Sequence, residues 1–315
     1  MFNLVIQGVL SAVSLAALAV ASHFAIKSIE ELIDLTGLGE ASAGFVILSV
    51  MTSIPEMTVA VFSVLQGTIG ITVGDIMGSN VANVGLVIGI MAIIGPLEAC
   101  CTDLLTEMVD ILFLSSLIPL LLVVSQAARM RALSPLVGAA LLALFIFSVY
   151  RMTRGRSPAS ADKQKTTTDA RSKRSIAATI VLAIAVVVVA AQFAVYSASN
   201  IAGILGVPSI LIGAKIVAVG TSLPELALNV TAVRRGRPRL AIGDSIGSNL
   251  TNLTLVLGLV LLASPFAVDL TIFAETLPFL LITTLLLWRF LTRGGISKVG
   301  GILLVMSYVL FQAVL

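Results

Sequence analysis

The chain of 315 residues is 58% apolar and only 11% charged, with a mean hydropathy of +1.11 and a formal net charge of +3. Soluble domains carry roughly a quarter charged residues, so the composition excludes one. A nucleic-acid-binding face is excluded too, because the basic residues sit in loops between apolar runs instead of forming a soluble basic surface.

Apolar windows of about 20 residues, enough to cross a hydrocarbon core, fall at roughly 3–26, 41–66, 70–95, 104–126, 132–151, 176–198, 207–233, 240–262, 268–290 and 296–314. The predicted fold is an all-α integral membrane protein with ten transmembrane helices. The start, Met-Phe-Asn-Leu, lacks the basic region of a cleaved signal peptide and reads as the opening of a retained span. Cys100 and Cys101 are adjacent and staple nothing distant. Residues 153–175, rich in Ser, Thr, Lys and Arg, read as a linker between a first five-helix repeat at 1–152 and a second at 176–315.

Basic residues fill that linker (Arg154, Arg156, Lys163, Lys165, Arg171, Lys173, Arg174), follow the seventh window (Arg234, Arg235, Arg237, Arg239) and follow the ninth (Arg289, Arg293, Lys298). All three loops share one side if ten spans alternate. The positive-inside rule makes that side cytoplasmic and both termini extracytoplasmic, in a multi-pass protein of the cell membrane. Only Arg129 and Arg131 fall opposite, and Lys215 lies within a span.

Two polar blocks interrupt the apolar runs. Thr52-Ser53-Ile54-Pro55-Glu56 and Gly74-Asp75-Ile76-Met77-Gly78-Ser79-Asn80-Val81-Ala82-Asn83 recur as Thr221-Ser222-Leu223-Pro224-Glu225 and Gly243-Asp244-Ser245-Ile246-Gly247-Ser248-Asn249-Leu250-Thr251-Asn252. Glu225 lies 169 positions after Glu56, and Asp244 and Asn252 lie the same distance after Asp75 and Asn83. The agreement extends over 44–96 and 213–265, where Gly44, Gly67, Leu86, Gly89 and Pro96 meet Gly213, Gly236, Leu255, Gly258 and Pro265. Five spans per repeat is an odd number, so the copies enter the membrane from opposite sides and are inverted.

Pro55 and Pro224 delete a backbone donor and free carbonyls one turn upstream, which at membrane depth are tolerated only beside protein, water or a cation. Each Thr-Ser pair lies three to four residues before its glutamate, on one helical face, and Ser79/Asn83 and Ser248/Asn252 are each four apart. Hydroxyls, amides and carboxylates make an all-oxygen shell for hard cations such as Ca²⁺ or Na⁺. The plainer alternative is that the prolines only kink, the glycines only pack and the hydroxyls bond neighbouring helices.

These blocks resemble the alpha repeats of the calcium/cation antiporter superfamily, most closely its sodium/calcium exchanger-like branch. The resemblance implies ten helices in two inverted five-helix repeats with broken helices at the ion site, and a metal site of Glu56, Glu225, Thr52, Ser53, Ser79, Asn83, Thr221, Ser222, Ser248 and Asn252. Asp75, Asp244, Lys215 and Ser49 are accessory candidates. The implied function is a secondary active antiporter exchanging Ca²⁺ for Na⁺ by alternating access, with the first and sixth helices sliding past the site. Metal ions are its substrates and the lipid bilayer its surroundings, with no resident cofactor, no nucleic acid and no obligatory protein partner expected.

Two positions depart from the family pattern. Met51 stands where glycine precedes the Thr-Ser pair, as Gly220 does in the second repeat. Asn252 stands where sodium-coupled relatives carry aspartate, which raises a proton-coupled exchanger as the alternative. Two glutamates balance one Ca²⁺, whereas three Na⁺ leave a positive charge uncompensated, so sodium coupling requires fewer ions or another carboxylate. Asp75 and Asp244 either attract cations in the vestibules or are solvated near the interface. Lys215 is expected to pair with Asp75 or to snorkel outward. Glu107, Asp110 and Glu275 read as solvated helix ends, His23 as a proton relay or a polar packing group, and Trp288 and Tyr150 as interface anchors. An intramembrane aspartyl protease is a remote reading of the Gly-Asp pairs, since Thr72 and Ala241 occupy the position where that motif needs a further glycine.

Overall fold

The computed structural model describes residues 2–66, 69–95, 97–98, 102–118, 120, 133–154, 173–206, 218–263 and 270–314. Every predicted window contains helix among its described residues, and among the described residues there is no strand beyond a single bridge between Leu97 and Ile296. Among the described residues, six stretches are long and apolar enough to cross a membrane: Leu4–Thr36, Glu40–Val61, Val73–Ile94, Pro135–Thr153, Lys173–Ala198 and Pro238–Ala263. Thr276–Leu291 and Lys298–Val314 are shorter apolar helices. The windows at 104–126 and 207–233 run partly outside the described residues, as do Lys215, Arg129, Arg131, both cysteines and most of the linker.

The first helix, Phe2–Thr36, outruns its apolar window by ten residues. Charge begins at Lys27, but Ser28 and Ile29 stay buried, so the helix continues with one covered face until Gly37 (φ 70°) ends it, its N–H bonding Ile33 O at 2.9 Å. Lys173–Ile204 is nearly as long, and these two helices pack most extensively against each other. Their outer faces expose Val5, Val9, Val13 and Phe24, and Val181, Leu182, Val189 and Phe193, as lipid-facing surfaces do.

The remaining helices form the core around the two polar blocks. Pro238–Leu250 crosses the Glu40–Ala43 helix and the π-helical Gly44–Ser49 segment at backbone contact, where a Cβ on Gly44 would lie 2.2 Å from Leu240 O. Two further crossings use glycine alike: a Cβ on Gly89 would lie 3.0 Å from Gly301 O, and one on Gly258 would lie 3.1 Å from Gly138 O. Gly89 and Gly258 are 169 positions apart in the sequence, and each meets a glycine on a helix from the other half of the chain. Small residues permit this approach where apolar surface alone gives no drive to associate in lipid.

Ion pairs tie helix ends that alternation places on one side. Arg235 Nη2 meets Glu30 Oε2 at 2.5 Å, Arg237 Nη1 meets Glu40 Oε1 at 2.6 Å, and Arg151 Nη2 meets Glu107 Oε1 at 2.6 Å. The Glu30 hydrogen bond pushes the Arg235 guanidinium further above its ordinary value, and Glu40 does the same for Arg237. Glu107 is therefore paired, not merely solvated, and Asp110 accepts a 2.7 Å hydrogen bond from Trp288 Nε1, whose ring stacks on Phe113. Trp288 thus joins two helices. His23 is exposed with Nδ1 3.5 Å from Arg235 Nη1, which removes it from any buried relay. The side chain of Glu275 lies outside the described set.

Candidate ion-binding site

Both Thr-Ser-x-Pro-Glu blocks break their helices at the same residue. Ser53 (φ −78°, ψ 3°) and Ser222 (φ −91°, ψ 6°) leave helical geometry, and new helices, Ile54–Gln66 and Leu223–Arg234, start at once with proline in the first turn. Proline suits that position because its missing N–H is one that a first turn leaves unbonded anyway. Glu56 and Glu225 consequently sit in first turns, at the positive end of each helix dipole.

The Gly-Ser-Asn blocks lie where straight helix gives way to π-helix, at Asn83–Ile88 and Thr251–Val256. Such bulges widen the turn and shift side-chain register, and they concentrate at functional sites. Here they begin at Asn83 and one residue before Asn252.

The predicted ligands converge. Thr52 Oγ1 and Ser248 Oγ, from opposite repeats, are 3.1 Å apart, and Asn252 Nδ2 lies 3.4 Å from Ser79 Oγ. The Glu56 and Glu225 carboxyls lie within Coulombic range of each other and of Asp75. Thr52, Ser53, Glu56, Asn83, Glu225, Ser248 and Asn252 are completely buried, and Ser79 and Ser222 are 2% exposed. Thr221 is half-buried.

Ser79 donates its hydroxyl proton to Asp75 O at 2.7 Å, leaving its oxygen free to accept. Both carboxylate oxygens of Glu56 and of Glu225, both amide atoms of Asn83, Asn252 Oδ1, Ser53 Oγ and Ser222 Oγ have no hydrogen-bond partner among the described residues. Buried polar groups without partners are costly, and so many oxygens around one centre fit a hard cation that supplies the missing interactions. No group of three or more His, Cys, Asp or Glu suited to a metal occurs among the described residues; the donor set is mixed, as the neutral oxygens require.

The accessory candidates separate. Ser49 donates to Phe45 O within its own helix and packs on Gly247. Asp75 is half-buried, whereas Asp244 is completely buried with both oxygens unpartnered, which corrects the solvated reading of Asp244. The Asp75–Lys215 pair lies outside the described residues. Sequence reasoning missed three groups: Asn80 and Asn249, joined by a 3.1 Å bond from Asn249 Nδ2 to Asn80 O across matched positions, and Asn229, which donates to Ser245 Oγ at 3.0 Å. The first two sat inside the quoted motif; Asn229 had no signal, because its repeat partner is Ala60.

Among the described residues, then, buried oxygens gather at two matched helix breaks of an all-helical membrane protein. The family model described as sodium/calcium exchanger protein matches residues 6–154 and 175–315. The sodium/calcium exchanger MaX1 of Methanosarcina acetivorans is 28% identical over 330 residues, 93% of this chain and 94% of that one. The inner membrane protein YrbG of Escherichia coli is 28% identical over 285 residues, 89% and 87% respectively. A solved structure of the sodium-calcium exchanger NCX_Mj, soaked with 2.5 mM Na⁺ and 10 mM Sr²⁺, matches with a TM-score of 0.82 at 23% identity over 99% of both chains. The chain belongs to the sodium/calcium exchanger protein family.

Proposed function

We propose that the protein exchanges Ca²⁺ for Na⁺ across the cell membrane by alternating access, using Glu56 and Glu225 as the shared charge and Thr52, Ser53, Ser79, Asn83, Thr221, Ser222, Ser248 and Asn252 as neutral ligands. The observation that carries this reading is the cluster of buried, unpartnered carboxylate, amide and hydroxyl oxygens contributed by both repeats. One Ca²⁺ neutralises two glutamates, so calcium and the counter-ion compete for the same charge and exchange is obligatory.

The architecture proposed is ten helices in two inverted repeats. The matched glycine crossings, the Asn80–Asn249 bond across matched positions and the identical breaks at Ser53 and Ser222 support it. The ion pairs support the proposed orientation, because Glu30, Glu40, Glu107, Arg151, Arg235 and Arg237 all fall on the side assigned to the cytoplasm. Phe2–Thr36 and Lys173–Ile204 are the moving pair in this scheme, held chiefly to each other. Proton coupling is the second reading, favoured by one observation: amides occupy position 83 and position 252, leaving no third carboxylate at the centre.

Counterflow tests the carrier. Proteoliposomes loaded with unlabelled Ca²⁺ are expected to accumulate a trace of external radiolabelled calcium above equilibrium, transiently and without any other gradient. A channel with the same site equilibrates the label and never overshoots, and that result would contradict exchange.

A further inference from the structure

One part of the polar core is matched in the other repeat by its carboxylate alone. Asn229 lies one turn beyond Glu225 on Leu223–Arg234, and Asp244 lies one turn before Ser248 on Pro238–Leu250, so both continue faces that reach the central site. Asn229 Nδ2 donates to Ser245 Oγ at 3.0 Å, and its amide sits beside the Asp244 carboxyl. All three residues are completely buried, and Asn229 Oδ1 and both Asp244 oxygens have no hydrogen-bond partner among the described residues. At the matching places the first repeat has Ala60, Asp75 and Ile76, so only the carboxylate recurs there, without the amide and hydroxyl oxygens beside it.

The position is one turn from Glu225 toward the Arg234–Arg239 loop, the side assigned to the cytoplasm. Asp244 is six residues in from Pro238, about 9 Å at 1.5 Å per residue. The Glu40–Ala43 helix and the Gly44–Ser49 segment close over it, since a Cβ on Gly44 would lie 2.6 Å from Asp244 N. A buried cluster of one carboxylate, one amide oxygen and one hydroxyl suits a small hard cation of single charge.

We infer that Asp244, Asn229 and Ser245 form a separate subsite for a monovalent cation of Na⁺ type, built only in the second repeat and adjacent to the calcium-binding glutamates. Asp244 supplies there the third negative charge that Glu56 and Glu225 lack for a cycle moving more than two Na⁺. The charge stands two turns away from position 252, where the chain has an amide. This inference rests on the antiporter reading of the central site.

Purified protein is titrated with NaCl, and separately with CaCl₂, at ionic strength held constant by N-methylglucamine chloride, following the melting temperature. In Asp244→Asn the Na⁺ half-point is expected to rise by about tenfold or more, the loss of one charge-assisted contact, while the Ca²⁺ half-point moves by less than about threefold. Ser245→Ala and Asn229→Leu, which leave the charge in place, should move the Na⁺ half-point in the same direction by less, and they carry the test if Asp244→Asn does not fold. An unmoved Na⁺ half-point, or Na⁺ and Ca²⁺ half-points moving together, overturns the subsite. Wild-type protein stabilised by Ca²⁺ but indifferent to Na⁺ also overturns it while leaving the central site standing; indifference to both ions overturns the central site itself.

Discussion

Glu56→Gln and Glu225→Gln are each expected to abolish calcium exchange while leaving the folded protein as stable without ions as the wild type, or more so. Both carboxylates are completely buried and neither has a hydrogen-bond partner among the described residues. Without a cation they are a burden on the fold, because desolvated charge is costly. Glutamine keeps the shape and removes that burden. With calcium present the balance reverses: one glutamine leaves the divalent ion half compensated in a low-dielectric pocket, and breaking a buried charge pair costs about 3–5 kcal/mol. That corresponds to a fall in affinity of roughly two to four orders of magnitude. Calcium-dependent thermal stabilisation and vesicle uptake, measured on the same preparation, check both halves of the claim. Transport retained in either variant would remove that glutamate from the site.

Gly44→Ala and Gly243→Ala are expected to cost more than any substitution of an exposed residue. A Cβ on Gly44 would lie 2.2 Å from Leu240 O and 2.6 Å from Asp244 N, and one on Gly243 would lie 2.4 Å from Ala41 O and 2.8 Å from Ala41 Cα. Every one of these is a backbone atom, so no side chain can rotate out of the way, and the two helices must separate. Overpacking of this kind costs about 1–3 kcal/mol, and the separation carries Asp244 and Ser248 away from Thr52, which lies 3.1 Å from Ser248. A lower melting temperature together with weaker calcium binding is the expected pair of results. Gly8→Ala is the control: a Cβ there meets nothing within 4 Å, and alanine is the better helix former by about 1 kcal/mol. Equal behaviour of Gly8→Ala and Gly44→Ala would refute the crossing.

What the amino-acid sequence made legible follows from repetition. Glu56, Ser79, Asn83 and their partners 169 positions later could be read because each appears twice in apolar surroundings that penalise polar groups; the structure buries them all and sets Thr52 beside Ser248 and Ser79 beside Asn252. The helix breaks were legible in Pro55 and Pro224, though the residue that turns, serine in both cases, was not.

The asymmetric features escaped for the complementary reason. Asn229 and Ser245 are unremarkable polar residues until the fold sets them beside Asp244, and no duplicate marks them. Glu107 and Asp110 read as solvated because their partners, Arg151 and Trp288, are 44 and 178 residues away, and pairing over such distances is set by helix packing alone. The first helix read as ending at 26 because hydropathy drops at Lys27, while the structure keeps Ser28 and Ile29 buried along one face. Window hydropathy averages over all faces of a helix and cannot report one covered stripe.

The most direct test of the exchange itself is calcium uptake into proteoliposomes with the membrane potential fixed, under an outward Na⁺ gradient alone and under an outward proton gradient alone. Uptake driven by Na⁺, saturable and lost in Glu56→Gln, is the result predicted here. Uptake driven by protons but not by Na⁺, or by neither, would contradict it.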